Sequence, residues 1–538
     1  MIRWPYHPDA SVRYSIINKA KQTAGFLYKP NVGGWVADGP EVLLDMDRFG
    51  LWQHVTCITP AAQRRVDAFR LSLEAILTAK HKEEPEQYGY QQAGTSALVM
   101  QKRGLLADDM GLGKSKQALD AAAQIGAKKI LIIVPKTLTY NWAAELEKWY
   151  PKWVALVMGD NKKERDDVRL ALGDYERSPY KDKYSFVLIV NYEKLRLADW
   201  DYKQYWDVII FDEASKLKNT ATALHKAARK LKSDYIWGLT GTPLEIRIEE
   251  IYGVMNIIRP SVFGNFLRFR DQHLITDAWG HVIGQRNAEL LKERLGPWMT
   301  RRKKEDVLKQ LPPKIYNNVY TDMTPLEAAE YRRIKTAFLS WLKDHDQNTN
   351  QANALTQLLR LQQYTCSPSL LEDPVGSGEI GCKYAMLKET IDGWEGQVVV
   401  FTRFAQMANL LLEWLDCHKA ALIAGEVDSK LRVNRIEAFN DGELGKVLVS
   451  TDAGAHGLNI TSADMIIHVD QLWNPATMRQ REGRLHRIGQ TKTVNVVNMV
   501  VSGTIDEGML KVLEKRQALF DDIIEGAEEA AMAKIGNA

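Results

Sequence analysis

Two glycines, a lysine and a serine follow a short apolar run, and residues of these types at this spacing could bind a phosphate group. Leu105–Ala107 predicts the end of a buried strand, and Gly111, Gly113, Lys114 and Ser115 come next, where a helix is predicted to begin. Glycines let backbone N–H groups approach phosphate oxygens, and a helix N-terminus adds partial positive charge. Lys114 would reach the β and γ phosphates, and the Ser115 hydroxyl would complete a Mg²⁺ shell. The alternative is a glycine-rich turn before an ordinary helix.

A pair of acidic residues follows another apolar run. Val208–Phe211 predicts a buried strand, and Asp212 and Glu213 stand directly after it. Ligands of open α/β sheets bind at the carboxyl ends of the strands, where these two carboxylates would lie. Asp212 would hold Mg²⁺, usually through water, and Glu213 would orient and deprotonate the attacking water. An acidic pair that caps the next helix is the alternative.

Two further groups of residues could act on a phosphate chain. Thr240 and Thr242 end the run YIWGLTGTP and could sense the γ phosphate, with a plain turn as the alternative. Arg484 and Arg487 are three residues apart, which predicts that they share one face of a helix. Two guanidinium groups there could neutralise charge that develops on a transferred phosphoryl group. A solvated basic helix is the alternative for this pair.

Apolar runs that alternate with helical patterns must position these residues. The runs are unbroken, as in strands that are buried on both faces, which indicates parallel sheets covered by helices. The first series predicts strands at 130–134, 186–190, 208–211 and 235–239. The second series predicts strands at 398–401, 420–423, 447–450, 465–469 and 494–500. Between them, residues 297–371 show long helical patterns without strand runs, at 328–342 and 352–364.

Changes of pattern predict the domain organisation of an α/β protein. Residues 1–80 form a small α+β accessory module, with a β-hairpin near residue 30 and a helix over 60–79. The other predicted segments are a first lobe (86–297), a helical insertion and linker (298–375), a second lobe (382–504), and a closing helix over 505–524 with a tail to residue 538. The phosphate-binding pattern occurs only in the first lobe, so ATP is expected in a cleft between the two lobes.

Composition restricts the class of protein. The chain has 538 residues, of which 45% are hydrophobic and 26% charged, with a net charge of +3, as in soluble globular proteins. Four widely spaced cysteines indicate a reducing compartment and no zinc site. No signal peptide and no apolar stretch of ~18 residues is visible, which predicts no membrane association. A cytoplasmic location in a bacterial or phage-infected cell is expected, or a nuclear one in a eukaryote.

Longer motifs between about Tyr90 and Ile505 resemble those of the Swi/Snf-type ATPases of helicase superfamily two. They are ADDMGLGKS, IIVPKTLTYNWAAELEKW, LTGTPLEIRIEEIYGVMNIIRPSVFG, RRKKEDVLKQLPPK, STDAGAHGLNITSAD, WNP and RLHRIGQ. The family's phosphate loop also lacks the first glycine of the strict pattern, and Asp108 occupies that place here. The resemblance implies two RecA-like lobes that use ATP and Mg²⁺ and a monomeric motor on double-stranded DNA. Forked or branched DNA is a further candidate substrate.

The resemblance also implies roles for individual residues. Gln91 would read adenine, and Ser215 would couple nucleotide and DNA sites together with the two threonines. The family's motifs extend the predicted ATP-binding residues to Asp109, Met110 and Leu112, and the catalytic ones to Gln480. The residues carried over as contacts to the DNA backbone are Lys136, Thr137, Asn141, Tyr192, Arg403 and Thr451. Each of these could instead be a structural cap or a surface residue.

The sequence departs from the family pattern at three places. Ser215 replaces a common histidine, so it must supply that residue's coupling hydrogen bond. Ala455 and His456 stand where the family is often glycine-rich. Gly483, before the first motif arginine, is typical of strand-separating helicases.

The predicted function is an ATP-dependent double-stranded DNA translocase or remodelling ATPase. A strand-separating or annealing DNA helicase is the first alternative, since Ala24–Trp52 weakly resembles the accessory domain of annealing helicases. A simple packing module explains that segment equally well. A DNA-binding scaffold that does not hydrolyse ATP is the second alternative. The full set of catalytic residue types argues against it.

Overall fold

The computed structural model describes residues 26–29, 34–37, 87–177, 183–197, 204–244, 247–308, 310–344, 351–371, 381–424, 429–452, 459–487 and 489–520. The helix predicted over 60–79, nearly all of the linker near 372–381 and most of the N-terminal module lie outside these residues. The predicted N-terminal hairpin is confirmed, because strands β1 (Phe26–Lys29) and β2 (Gly34–Ala37) pair antiparallel.

Every apolar run that was predicted to be a strand forms one, with ends that agree within a few residues. The remaining strands, in chain order, are β3 (Arg103–Leu106), β4 (Lys129–Val134), β5 (Val154–Val157), β6 (Phe186–Asn191), β7 (Tyr205–Asp212), β8 (Lys232–Leu239), β9 (Leu274–Thr276), β10 (Val282–Gln285), β11 (Met299–Thr300), β12 (Lys314–Thr321), β13 (Val398–Phe401), β14 (Ala421–Ile423), β15 (Val447–Ser450), β16 (Met465–His468) and β17 (Val494–Val501).

Seven strands form one sheet in the order β11-β3-β8-β7-β4-β6-β5. Strand β4 pairs in parallel with β6 and β7, and β7 pairs in parallel with β8. All of β6 and most of β4 are buried, which explains their unbroken apolar sequences. The register sets Ile133 beside Phe211, so the acidic residues that follow Phe211 lie at the carboxyl edge of the sheet.

Six strands form a second sheet in the order β12-β17-β16-β13-β15-β14, and its recorded pairings are parallel. The prediction that 297–371 lacks strands is wrong, because the two-residue β11 and the longer β12 lie in this range. Strand β12 pairs with β17 along its whole length. It lies at the edge of the sheet, and most of its side chains are exposed or half-buried. An edge strand needs no apolar run, so the sequence KIYNNVYT did not indicate that β12 is a strand.

Helices cover both sheets, and the long patterns predicted between the lobes form helices. In chain order the helices are α1 (Gly89–Gln101), α2 (Lys114–Gln124), α3 (Thr139–Trp149), α4 (Lys162–Arg177), α5 (Ala223–Ala228), α6 (Glu249–Ile258), α7 (Phe266–His273), α8 (Ala288–Leu295), α9 (Lys304–Val307), α10 (Pro325–Asp344), α11 (Gln351–Cys366), α12 (Cys382–Asp392), α13 (Ala405–Trp414), α14 (Ser429–Asn440), α15 (Pro475–Glu482) and α16 (Ile505–Phe520). The prediction of an α/β fold with two mostly parallel sheets is confirmed.

Packing divides the chain into two compact units. The first unit includes residues 115–213 and 221–239, which carry most of α2 and the strands β4 to β8. The second unit includes residues 105–114, 214–220 and the described residues from 240 onward. The turn between β3 and α2 therefore belongs to the same unit as the second sheet.

Candidate nucleotide site

The turn between β3 and α2, here called the phosphate loop (Asp108–Gly113), has the backbone of an anion cradle. Gly111 has a φ of 87° and Gly113 a φ of 74°, a region that residues with a Cβ rarely adopt. Helix α2 begins directly after the loop, at Lys114, so its N-terminal N–H groups lie beside the loop. The Lys114 ammonium donates to the carbonyl oxygens of Asp108 and Asp109, at 2.7 Å and 3.2 Å.

A distant stretch of the chain, the loop-binding segment (Thr300–Lys304), holds the phosphate loop. The segment binds the backbone of the loop and of the residue before it. The N–H of Ala107, which precedes the loop, donates to Thr300 O at 2.7 Å, and the N–H of Asp109 donates to Arg302 O at 3.0 Å. The sequence indicated this segment only as a family-like motif. Its contacts to the loop are a finding of the structure.

An arginine of this segment explains why the strict glycine can be absent. The carboxylate of Asp108 is fully buried and accepts two hydrogen bonds from Arg302, at 2.9 Å from Nε and 2.7 Å from Nη2. A two-bond pair between guanidinium and carboxylate is strong and fixes geometry. The Asp108 side chain therefore fixes the phosphate loop to the loop-binding segment, a role that a glycine could not have.

The next carboxylate of the loop is also held by the segment. Asp109 accepts from Arg301 Nη2 at 3.0 Å and from the N–H of Lys304 at 3.1 Å. Burial alone would raise the pKa of Asp109, but the Arg301 guanidinium and the hydrogen bond from Lys304 hold it below its usual value. Asp109 is thus an ionised structural anchor, and its predicted place among the ATP-binding residues remains a proposal.

Replacing Arg302 by Met should destabilise the protein, because the buried Asp108 carboxylate loses its bidentate partner. We expect the free energy of unfolding to fall by about 3 kcal/mol, the lower end for breaking a buried pair. The double variant Arg302→Met/Asp108→Leu, which removes both charges, should recover most of that loss. Urea denaturation of the three proteins measures the effect. A loss of less than ~1 kcal/mol in the single variant would contradict the anchoring role.

The phosphate loop lies close to basic side chains of its own unit. A Cβ atom placed on Gly111 would be 3.1 Å from Cβ of Arg487 and 3.6 Å from Nζ of Lys304. Burial, with the neighbouring Arg484, lowers the pKa of Arg487 to about 9. Burial, with the charge of Arg487, lowers the pKa of Lys304 to about 7. Cations whose charged forms are disfavoured in this way indicate a site that an anion would stabilise.

The motif arginines lie in a turn rather than on a helix, which corrects the prediction of a shared helical face. Helix α15 ends at Glu482, and residues 483–487, here called the arginine turn, follow it. A Cβ on Gly483 would lie 3.1 Å from the carbonyl oxygen of Arg479 and 3.4 Å from Cβ of Met110. The close approach to Arg479 O favours a glycine at this position, whereas the distance to Met110 is an ordinary contact. Gln480 lies in α15, half-buried.

A buried arginine fixes the start of this turn to the second sheet. Arg481 is 2% exposed and donates from Nε to Asp452 Oδ1 at 2.6 Å and from Nη2 to Asp452 Oδ2 at 3.0 Å. It is also 3.5 Å from a carboxylate oxygen of Asp470. Asp470 in turn accepts from the hydroxyl of Thr402 at 2.5 Å. Sequence reasoning did not assign Arg481 a role, although its place in the motif was known.

The acidic pair, Asp212 and Glu213, lies at the end of β7 in the first unit. Asp212 accepts from Trp142 Nε1 at 2.7 Å through Oδ2 and from the N–H of Glu213 at 3.0 Å through Oδ1. Glu213 has a φ of 50°, a conformation that costs energy in a residue with a Cβ. The structure thus fixes Asp212 and turns the backbone sharply at Glu213, as expected at a site of chemistry.

Tyr192 supports this pair, which corrects its prediction as a DNA contact. Its side chain is 2% exposed, and its hydroxyl donates to the carbonyl oxygen of Asp212 at 2.7 Å. Burial, with the charge of Asp212 nearby, raises the pKa of Tyr192 well above its usual value, so the hydroxyl keeps its proton. A buried hydroxyl that already donates to the protein offers no side-chain surface to DNA.

The two predicted sensor threonines are fully buried after β8. The N–H of Thr240 donates to Leu106 O at 3.1 Å, and Thr240 Oγ1 accepts from the N–H of Thr242 at 3.0 Å. Among the residues that the structure describes, the hydroxyl oxygen of Thr242 is buried and makes no hydrogen bond. Gly241 between them packs on Met110, whose Cγ would lie 2.6 Å from an added Cβ. The stretch that carries the two threonines therefore packs directly against the phosphate loop and the end of β3.

The other predicted site residues differ in accessibility. Gln91 is buried, and its side-chain oxygen accepts from the N–H of Tyr88 at 3.2 Å. Lys136 and Thr137 are exposed at the carboxyl end of β4, whereas Thr451 is 6% exposed. Leu112 and Ser215 are buried, while Gly113, Ser115, Asn141 and Arg403 are half-buried. Only exposed or half-buried positions keep side-chain surface available for DNA.

No group of three or more metal-binding side chains occurs in the part of the chain that the structure describes. Mg²⁺ in phosphate-loop proteins needs none, because phosphates and water supply most of its ligands. The hydroxyl of Ser115 and the carboxylate of Asp212 are hard oxygen donors and fit such an ion. The described helices also include none long and apolar enough to cross a membrane.

The chain is similar to proteins of known families. Residues 43–370 match the SNF2-related domain, and residues 382–489 match the helicase conserved C-terminal domain. A Mycoplasma pneumoniae protein named an uncharacterized ATP-dependent helicase is 31% identical over 84% of this chain and 43% of its own length. The Bacillus subtilis protein named putative ATP-dependent helicase/translocase YwqA is 30% identical over 83% of this chain and 50% of its own length.

More distant matches include a eukaryotic protein and a solved structure. The Saccharomyces cerevisiae ISWI chromatin-remodeling complex ATPase ISW2 is 28% identical over 81% of this chain and 40% of its own length. The Sulfolobus solfataricus SWI2/SNF2 ATPase core in complex with dsDNA is 28% identical, covers 83% of this chain and 94% of its own, and has a TM-score of 0.39. The chain spans half or less of the length of these curated relatives.

Proposed function

Because the chain belongs to the SNF2-related family, we propose that it is an ATP-dependent motor that moves along double-stranded DNA. The family predicted from the sequence is confirmed by the domain match over residues 43–370. The names of the relatives support an ATP-hydrolysing, helicase-like enzyme. Double-stranded DNA as the track and translocation as the mode of action are the finer parts of the proposal.

The observation that supports ATP use most directly is the phosphate loop with its basic neighbours. Two glycines of the loop have positive φ values, and Lys114, Lys304 and Arg487 lie around the loop in the same unit. A cluster of buried or half-buried cations costs energy in the absence of an anion. A nucleoside triphosphate would supply several negative charges at this position, so the cluster favours a polyphosphate ligand.

Each residue of the proposed site has its own role in the reaction. Lys114 would bind the phosphates in the ground state, and Glu213 would orient and deprotonate the attacking water. Arg487, with Arg484 and Gln480, would stabilise charge in the transition state. Ser115 and Asp212 would hold Mg²⁺, which neutralises phosphate charge when it is bound. Thr240, Thr242 and Ser215 would report the state of the phosphates to the DNA-binding residues.

DNA contact is proposed for the residues that keep accessible side chains at the carboxyl edges of the sheets. Lys136 and Thr137 follow β4, and Arg403 follows β13. Arg403 is oriented by its backbone N–H, which donates to Asp470 at 2.9 Å. Such residues would contact phosphates, so DNA binding should be insensitive to base sequence. Asn141 remains a candidate, and Thr451 would have to contribute mainly through its backbone.

ATPase stimulation by different DNA forms tests this function. We expect duplex DNA to stimulate hydrolysis more than single-stranded DNA, and ATP to drive displacement of a third strand from a triplex. A forked duplex of the same length should show little strand separation, because a translocase grips an intact duplex. Branched DNA, included in the same series, shows whether junctions stimulate further.

The outcomes separate the alternatives. Efficient unwinding of the forked duplex without triplex displacement would favour the strand-separating helicase. DNA binding without any ATP hydrolysis would favour the scaffold. A cytoplasmic, monomeric motor remains the expectation that accompanies the translocase.

A further inference from the structure

Lys304, one of the cations beside the phosphate loop, has so far no individual role in the reaction. Lys304 is 7% exposed and lies at the start of α9, where its N–H donates to Asp109. Its ammonium donates to the carbonyl oxygen of His486 in the arginine turn. Within the described residues this is its one side-chain hydrogen bond, and no carboxylate lies at ion-pair distance. An ammonium has three protons to donate, so a buried one with a single partner is under-satisfied.

The titratable groups that face Lys304 belong to several elements, and most of these groups are cationic. Asp109 favours the ammonium, but its carboxylate is already paired with Arg301. Burial lowers the pKa of His486 to about 4, so this ring is neutral and adds no charge. The groups that face Lys304 are Lys114 and Asp109 of the phosphate loop region, Lys314 of β12, and Arg487 and His486 of the arginine turn.

We propose that Lys304 is a further ligand of the nucleotide's phosphates, and that its bond to His486 holds the arginine turn against the phosphate loop. The ammonium is 3.6 Å from the point where a Cβ would stand on Gly111, so it lies at the mouth of the cradle. A phosphate there would satisfy the remaining ammonium protons and offset the charge of Arg487. This inference rests on the proposed ATP-binding function and adds to it a residue that links loop and turn.

Proton uptake follows from this arrangement. Burial and the charge of Arg487 lower the pKa of Lys304 to about 7, so part of the free protein lacks this proton near neutral pH. A bound phosphate favours the ammonium and raises that pKa again, so binding takes up protons. The uptake that Lys304 contributes should increase as the pH rises through the pKa of the free protein.

Calorimetric titration with Mg²⁺ and the non-hydrolysable analogue AMP-PNP tests the proposal. Lys304→Met should weaken binding by ~10- to 100-fold, the effect of losing a charge-assisted hydrogen bond. Lys304→Arg keeps the charge and should recover most of the affinity. Lys292→Met is the matched control, because Lys292 is 6% exposed but pairs with Glu289 at 2.9 Å. Thermal unfolding of each variant shows that the fold is kept.

The same titration in two buffers of different ionisation enthalpy measures proton uptake. The natural protein should take up more protons than Lys304→Arg, and the difference should grow between pH 6 and pH 8, because arginine stays charged over this range. Unchanged affinity in Lys304→Met would overturn the proposal. If the natural protein binds no nucleotide at all, the proposed function itself fails. If it binds nucleotide and hydrolyses ATP while Lys304→Met binds equally well, only this inference fails.

Discussion

Glu213→Gln is expected to bind ATP with nearly natural affinity and to hydrolyse it ~10²–10⁴-fold more slowly. That range is the usual contribution of a positioned general base. Glutamine keeps the shape of the side chain at the strained turn after β7, so the backbone with a φ of 50° should persist. The amide cannot accept the proton of the attacking water. Loss of turnover without loss of binding identifies a group that acts in the transition state.

Two variants make this result interpretable. Lys114→Ala should weaken ATP binding itself, because the lysine would contact ground-state phosphates. Glu193→Gln is the matched control, since Glu193 is an exposed carboxylate that follows strand β6 of the same sheet. DNA-stimulated ATPase rates and nucleotide affinities are measured for all three. Normal turnover in Glu213→Gln would remove it as the base.

The sheets could be predicted from sequence because their central strands are buried on both faces. The runs at 130–134 and 186–190 are apolar without interruption, and both formed parallel strands. Strand β12 could not be predicted in this way, because an edge strand with exposed side chains needs no apolar pattern. Pairing of β12 with β17 also joins residues that are far apart in sequence.

In the candidate site too, features that depend on nearby residues could be predicted from the sequence, whereas contacts between distant residues could not. The glycines of the phosphate loop were predictable because a positive φ is a local requirement that glycine meets. The pair between Asp108 and Arg302 spans 194 positions, and no local pattern indicates which arginine meets which carboxylate. The burial of the Tyr192 side chain was missed for a similar reason. Its motif position suggested DNA, whereas its burial against Asp212 depends on the packing of two strands.

Apart from the acidic pair, the residue whose replacement should slow ATP hydrolysis most lies in the arginine turn. Arg487 stands next to Gly111 in the same unit, and its Nε donates to the carbonyl oxygen of Gly483 at 3.0 Å. Burial and the charge of Arg484 lower its pKa to about 9, so at neutral pH it is still a cation. A developing negative charge would therefore be stabilised strongly by this guanidinium, since the surroundings screen it poorly.

Arg487→Ala should therefore reduce the rate of ATP hydrolysis by on the order of 10³-fold, while the affinity for ATP changes far less. Arg484→Ala should cost the same or less, because it is Arg487 whose Cβ lies close to Gly111 of the loop. Arg435→Ala is the matched control, as its guanidinium donates to Leu422 O at 2.6 Å within the second sheet. Single-turnover rates with saturating DNA separate chemistry from product release. A loss below about tenfold in both Arg487→Ala and Arg484→Ala would show that neither arginine stabilises the transferred phosphoryl group, and the residue that does so would have to lie elsewhere in the site.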